Sequence, residues 1–168
     1  CQFALHRAND GGAYYNSAMG ITPEVVGRLT FYHCDGGLHV TQALLCHAMG
    51  DLVGMERAVK AFCAVSERPC SNLDLTLGQS SVLIACTQLL GVMPSGSLLS
   101  LDLLRSLGNR TLQCIWEKVS LYGSIRDGTV LKYFGIAHGW AGILYATLRW
   151  CQIARVDIPG PVKLLLDE

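Results

Sequence analysis

The sequence predicts an all-α chain in which apolar and amphipathic helices alternate, and three observations carry that prediction. No stretch shows sustained β alternation. Hydrophobic residues make up 51% of the 168 and charged residues only 15%, which supports a large core under little polar surface. Three short segments, Cys34-Asp35-Gly36-Gly37, Gly78-Gln79-Ser80-Ser81 and Gly139-Trp140-Ala141-Gly142, each introduce a helix rich in Leu, Ala and Cys, and each such helix is followed by a more amphipathic one. Recurrence of that unit predicts inner and outer helices in a layered α/α array.

Each element has its own signals. Residues 1–30 read as an irregular lead-in or linker, with Asp10-Gly11-Gly12 and Thr22-Pro23-Glu24 as turn or helix-start signals. The first inner helix carries Leu38, Thr41, Leu44, Leu45, Ala48 and Met49 and closes at Gly50. Its follower runs through Leu52, Met55, Ala58, Val59 and Phe62 and stops by Pro69. The second inner helix holds Val82, Leu83, Ala85, Cys86, Leu89 and Leu90 and ends at Gly91 and Pro94. Its follower spans 98–119, with Leu101, Leu104, Leu107, Leu112, Ile115 and Val119 on one side and Gly108 as a bend or break. Gly123 and Gly128 mark a loop, a third inner helix carries Ile143, Leu144, Ala146, Thr147 and Trp150, and Pro159-Gly160-Pro161 starts a last one. The glycine-led helices bear few charges and are expected to be buried on most sides. Their followers carry Glu56, Arg57, Lys60, Arg105, Arg110, Glu117 and Lys118 and are expected to face solvent.

Composition also excludes function classes. Thirteen basic residues balance thirteen acidic ones, which argues against a nucleic-acid-binding surface. No run of 18 apolar residues forms a transmembrane span, and no signal-peptide pattern opens the chain. It begins with Cys1 and reads as a piece of a longer protein. Cys46, Cys63, Cys86, Cys114 and Cys151 lie inside apolar helical runs, where free cysteine behaves as a small hydrophobe. With no CxxC pair, a reducing, cytoplasmic setting fits best.

The most chemically suggestive stretch is Gly135-Ile136-Ala137-His138-Gly139-Trp140-Ala141-Gly142. It places a ring that titrates near neutrality at the positive end of a helix, a setting for proton transfer or, more plainly, for a packed turn. Trp140 and Tyr145 fit either a channel wall or the core. Cys46-His47 reads as a pair of buried helix residues in preference to metal ligands. His33, Cys34 and His39 form a second cluster, read as structural.

Gly135-Ile136-Ala137-His138-Gly139-Trp140-Ala141-Gly142-Ile143 resembles the Gly-x-Ala-His-Gly-x-x-Gly-Ile motif of lanthionine synthetase C-like (LanC-like) cyclases. Leu73-Asp74-Leu75-Thr76-Leu77-Gly78 is similar to the preceding family repeat, and Tyr32-His33-Cys34-Asp35-Gly36-Gly37 looks like an altered first one. The wording is closest to domains fused behind a protein kinase, in class III/IV-type lanthionine synthetases. The resemblance implies that residues 31–168 are the N-terminal part of an α/α toroid, with about three of its seven inner/outer helix pairs. It implies addition of a peptide Cys thiol to dehydroalanine or dehydrobutyrine in lanthipeptide biosynthesis, with a precursor peptide as substrate and a kinase domain upstream. It assigns His138 as the acid–base residue and Asp74 as its partner, while Asp74 as a helix N-cap stands as an equal reading. Gly78, Gly139 and Gly142 are structural in either case, and Ser81 and Cys34 stand where the family has glycine. Zinc activates the thiol in the complete domain, and its ligands, a Cys and a Cys-His pair, are expected downstream, so this segment alone is expected to bind no metal and to be inactive. Two other functions compete: a non-catalytic α/α scaffold binding peptide or protein, and an α/α-toroid enzyme acting on carbohydrate, for which Asp74 and Asp35 are the only acids at inner-helix starts.

Overall fold

A computed structural model describes residue 6, residues 14–122 and residues 131–166. Within those residues all regular structure is helical apart from one isolated antiparallel bridge between Asn16 and Ile21. A 3₁₀ turn (Ser17–Met19) precedes α1 (Pro23–Val26), α2 (Asp35–Ala48), α3 (Leu52–Val65), α4 (Gln79–Val92), α5 (Leu98–Val119), α6 (Trp140–Ala154) and α7 (Gly160–Leu166). Asp10-Gly12, Gly123 and Gly128 lie outside the described residues. No helix among them is long and apolar enough to cross a membrane.

Sequence punctuation explains the boundaries. Pro23 stands at the first turn of α1, where its missing N–H costs nothing. Gly50 takes a φ of 74°, turning the chain between α2 and α3 in a conformation that L side chains disfavour. The α3 start is held by Asp51, whose Oδ1 accepts from Gly54 N at 2.8 Å.

The helices form two layers. Each of α2 and α4 packs on its follower, α3 and α5; α4 also lies between α2 and α6, and α3 touches α5. The inner helices therefore run α2–α4–α6, with α3 and α5 behind them. Their common core includes Phe62 and Met55 on α3, Leu83 and Leu89 on α4, Leu104 and Ile115 on α5, and Ile143 and Trp150 on α6, all essentially inaccessible to solvent. The expected charged residues of the outer helices are on or near the surface, and Leu104, Leu107, Leu112, Ile115 and Val119 all face inward from α5.

Two expectations require correction. Among the described residues α4 is the helix buried on nearly all sides, with an inner helix on each flank; α2 and α6 each bury one face. Gly108 does not break α5, which is continuous over 22 residues. A Cβ at that position would collide with the indole of Trp150, so the glycine permits the close approach of α5 and α6. Trp150 Nε1 then donates to Asn109 Oδ1 at 3.1 Å, and Trp116 Nε1 donates to Thr147 Oγ1 at 2.9 Å, which satisfies both indoles at the same helix interface.

The lead-in from residue 14 packs on the same core. Val26 and Leu29 are buried, and Tyr15 Oη donates to Gly27 O at 3.2 Å. Arg68, beyond the end of α3, clasps Asp35 at the start of α2 through two 2.7 Å bonds and donates to Arg28 O at 3.2 Å. That bidentate pair ties the two ends of the first hairpin together.

A histidine–carboxylate cleft at the inner-helix starts

The loops preceding α4 and α6 fold the same way, and that repetition builds the site. Gln79 N donates to Asn72 O at 3.0 Å, and Trp140 N donates to Tyr133 O at 3.1 Å, in each case seven residues back. Ser80 N to Leu73 O and Ala141 N to Phe134 O repeat the spacing one residue on. These bonds satisfy helix N–H groups that lack partners within the helix. The carbonyl of Asn72 consequently presses on Gly78, and that of Tyr133 on Gly139, leaving no room for a Cβ at either glycine. Gly142 is crowded in the same way by Ile136 O; at the matching position of the second repeat, Ser81 Oγ instead donates to Gly78 O at 2.7 Å.

Adjacent loops are stitched edge to edge. Thr30 Oγ1 donates to Thr76 O at 2.5 Å, and Thr76 in turn donates from N and Oγ1 to Ala137 O at 3.1 and 3.0 Å. The starts of α2, α4 and α6 therefore lie along one edge of the array.

That edge brings Asp74 and His138 together across 64 residues of sequence. His138 Nδ1 and Asp74 Oδ2 are 2.9 Å apart, and Asp74 Oδ1 accepts from Leu77 N at 2.5 Å. An ionised carboxylate can only accept, so Nδ1 is the donor in this pair and Nε2 is the ring nitrogen that lies outside it. The Asp74 side chain is 8% exposed and the His138 side chain 49%. The acid is thus held in the wall while about half of the histidine side chain meets solvent. Asp74 does not cap α4, whose N-cap is Gly78; its Oδ1 closes the turn before the helix and its Oδ2 is left for His138.

The pair opens on a cleft of about 280 Å³ lined by Asn72, Asp74, Leu131, Lys132, Tyr133 and His138. Sequence reasoning assigned no role to Asn72, Thr76 or Lys132. For Asn72 the available signal was its place two residues before Asp74, where an Asn commonly closes a local turn, and here its Oδ1 accepts from Asp74 N at 2.9 Å. Two other clefts, of about 270 and 350 Å³, contain no histidine.

The remaining candidates are distributed otherwise. Cys46 is buried but His47 is exposed, which corrects the reading of the pair as two buried residues. Cys34 is buried against Gly27 O and Tyr15 Oη; burial pushes its thiol up, opposite to what a reactive thiolate requires, and burial also raises Tyr15 to about 12. Burial lowers the pKa of His39, and His33 is exposed. The seven described cysteines are all free. No group of three or more His, Cys, Asp or Glu capable of holding a metal occurs among the described residues, whose donor sets do not fit a zinc site. Trp140 is buried, edge-on to Tyr122 at 6.4 Å, whereas Tyr145 is 47% exposed.

The fold and site define a double-layered helical protein with a hydrogen-bonded histidine–carboxylate pair in an open cleft. No family model, curated protein or solved structure matches the chain.

Proposed function

We propose that this chain is part of a lanthionine cyclase domain of the LanC-like type, closing thioether rings in a dehydrated precursor peptide. The observation that carries the reading is the Asp74–His138 hydrogen bond, formed between the starts of successive inner helices by the residues on which the motif resemblance rests. The parallel arrangement of glycine-led inner helices supports extension of the array into the family's toroid, of which these helices would be about three inner/outer pairs. Because the described residues do not compose a zinc site, the thiol-activating metal of that family would be held by other residues.

The chemistry of the pair suits the reaction. Nε2 takes up the proton that the attacking thiol gives up, and Asp74 stabilises the imidazolium and fixes the ring's orientation. When sulfur bonds to Cβ of a dehydroamino acid, the Cα=Cβ π pair moves toward the carbonyl and Cα requires a proton. His138 Nε2–H delivers it and returns to the neutral ring, so one proton is moved and no oxidant is consumed.

The test uses the full-length protein and a dehydrated precursor peptide, with residual thiols counted by alkylation and mass spectrometry. His138→Ala should abolish ring closure while leaving zinc content near that of the unsubstituted protein. Normal cyclisation by that variant would remove the assignment.

A non-catalytic peptide- or protein-binding scaffold is the second reading. It is favoured by the side chains flanking the cleft, since Tyr133 is 64%, Phe134 59% and Ile136 53% exposed. Peptide binding without thiol consumption by the full-length protein would select it.

A further inference from the structure

The same cleft holds two hydrogen-bond donors for which a general acid–base pair has no need. Asn72 Oδ1 is committed to Asp74 N at 2.9 Å, and a backbone N–H can be met only by the oxygen of an amide. The side-chain orientation is thereby fixed, and the Nδ2 hydrogens meet no acceptor among the described residues. Lys132 lines the same cleft and forms no ion pair with a described residue. Both Asp74 oxygens are already engaged, Oδ1 by Leu77 N and Oδ2 by His138. No ion pair joins Lys132 to a described carboxylate, so the cleft is lined by a base, an amide whose oxygen is already committed, and a cation. Such a set fits a carbonyl oxygen that becomes negative while the carbon beside it exchanges a proton.

We infer that the Asn72 amide and the Lys132 ammonium form an oxyanion-binding pair that polarises the carbonyl of an α,β-unsaturated carboxamide held against His138. The inference rests on the acid–base role proposed above for His138. As the S–Cβ bond forms, the Cα=Cβ π pair shifts into Cα–C and the carbonyl π pair moves onto oxygen. Asn72 and Lys132 hold the resulting enolate oxygen. The pair on oxygen then returns as Cα takes the proton from His138 Nε2, so neither donor is consumed or changes its own protonation. The substrate class follows from this arrangement: the acceptor must carry its carbonyl directly on the alkene carbon that receives the proton.

The experiment compares the full-length protein with Lys132→Met, Lys132→Arg and Asn72→Asp on a synthetic peptide bearing one dehydroalanine and one cysteine. Lys132 is exposed, so its variants do not test folding. Asn72→Asp keeps the oxygen that receives Asp74 N and removes the donor. Loss of one oxyanion donor from an enclosed site costs about a hundredfold or more in kcat; at this open cleft Lys132→Met should cost about tenfold, with KM nearly unchanged. Lys132→Arg should recover most of that loss, and Asn72→Asp should fall at least as far as Lys132→Met with its melting temperature preserved. Lys132→Met activity within twofold of the unsubstituted protein, or a loss confined to KM, would overturn the inference while leaving His138 in its role. An unsubstituted full-length protein that closes no ring would overturn the underlying reading, and this inference with it.

Discussion

The carbonyl oxygen of Ala137 accepts two hydrogen bonds from Thr76, one from its backbone N at 3.1 Å and one from its Oγ1 at 3.0 Å. Thr76 lies two residues after Asp74, and Ala137 lies one residue before His138. This cross-loop clamp therefore sets the register in which the carboxylate meets the imidazole. Thr76→Val keeps the shape and removes only the hydroxyl bond, so a stability loss of about 1 kcal/mol is expected. A denaturant titration of the full-length protein checks it; an unchanged midpoint would show that the backbone bond alone holds the loops.

Asp74→Asn separates the two duties of Asp74. The Asn oxygen can still receive Leu77 N, but its NH₂ then faces Nδ1 and drives the hydrogen to Nε2, where the lone pair is needed. Ring closure by the full-length protein should slow about a hundredfold or more while the melting temperature changes little. Retention of full activity would mean that the carboxylate only closes its turn.

Gly108→Ala sets helix propensity against packing. Alanine in a helix interior is favoured over glycine by about 1 kcal/mol, yet its Cβ would intrude on Trp150, and overpacking costs about 1–3 kcal/mol. Net destabilisation is expected. Combining it with Trp150→Leu should show a coupling of about 1 kcal/mol or more in a double-mutant cycle, and simple additivity would refute the contact.

Thr147→Val conserves side-chain shape but leaves the buried indole N–H of Trp116 without an acceptor. A loss of about 1–3 kcal/mol follows from the desolvated donor. Thermal melting measures it, and replacing Trp116 with Phe in the same background should return part of the loss.

Alkaline pH should unfold the protein early. Burial, the largest cause, raises the Cys63 thiol from the ordinary 9.0 to about 11, with Glu67 adding to the effect; burial likewise raises Tyr15 from 10.0 to about 12. A raised folded-state value means that the unfolded chain loses its proton first. Stability is therefore intact below pH 9 and declines as pH rises from 9 through 11, with the tyrosine extending the decline toward 12. Urea midpoints measured from pH 8 to pH 10.5 should fall, and Cys63→Ala should flatten that dependence while lowering stability at pH 8.

Much of the helical framework was legible because it follows from local signals. Pro23 and Gly50 mark boundaries by backbone geometry, and the 3.6-residue spacing of Leu104, Leu107, Leu112, Ile115 and Val119 identifies the buried face of α5. Gly108 was misread because a glycine weakens a helix in isolation, and only the facing Trp150 shows why it is tolerated. The exposure of His47 was missed for the opposite reason. An apolar helix sequence does not say how many neighbours surround it, and α2 has fewer than α4.

By itself, the sequence determined that this protein is helical, that apolar helices alternate with amphipathic ones, and that His138 and Asp74 each sit just ahead of an inner helix. These are matters of spacing, propensity and turn chemistry, which act over a few residues. Tertiary structure alone decided that the two residues meet at 2.9 Å, that Asp74 closes its own turn without capping α4, and that Asn72 and Lys132 share their cleft. Those relations depend on Thr76 meeting Ala137 across 61 residues, a contact that no local sequence signal specifies.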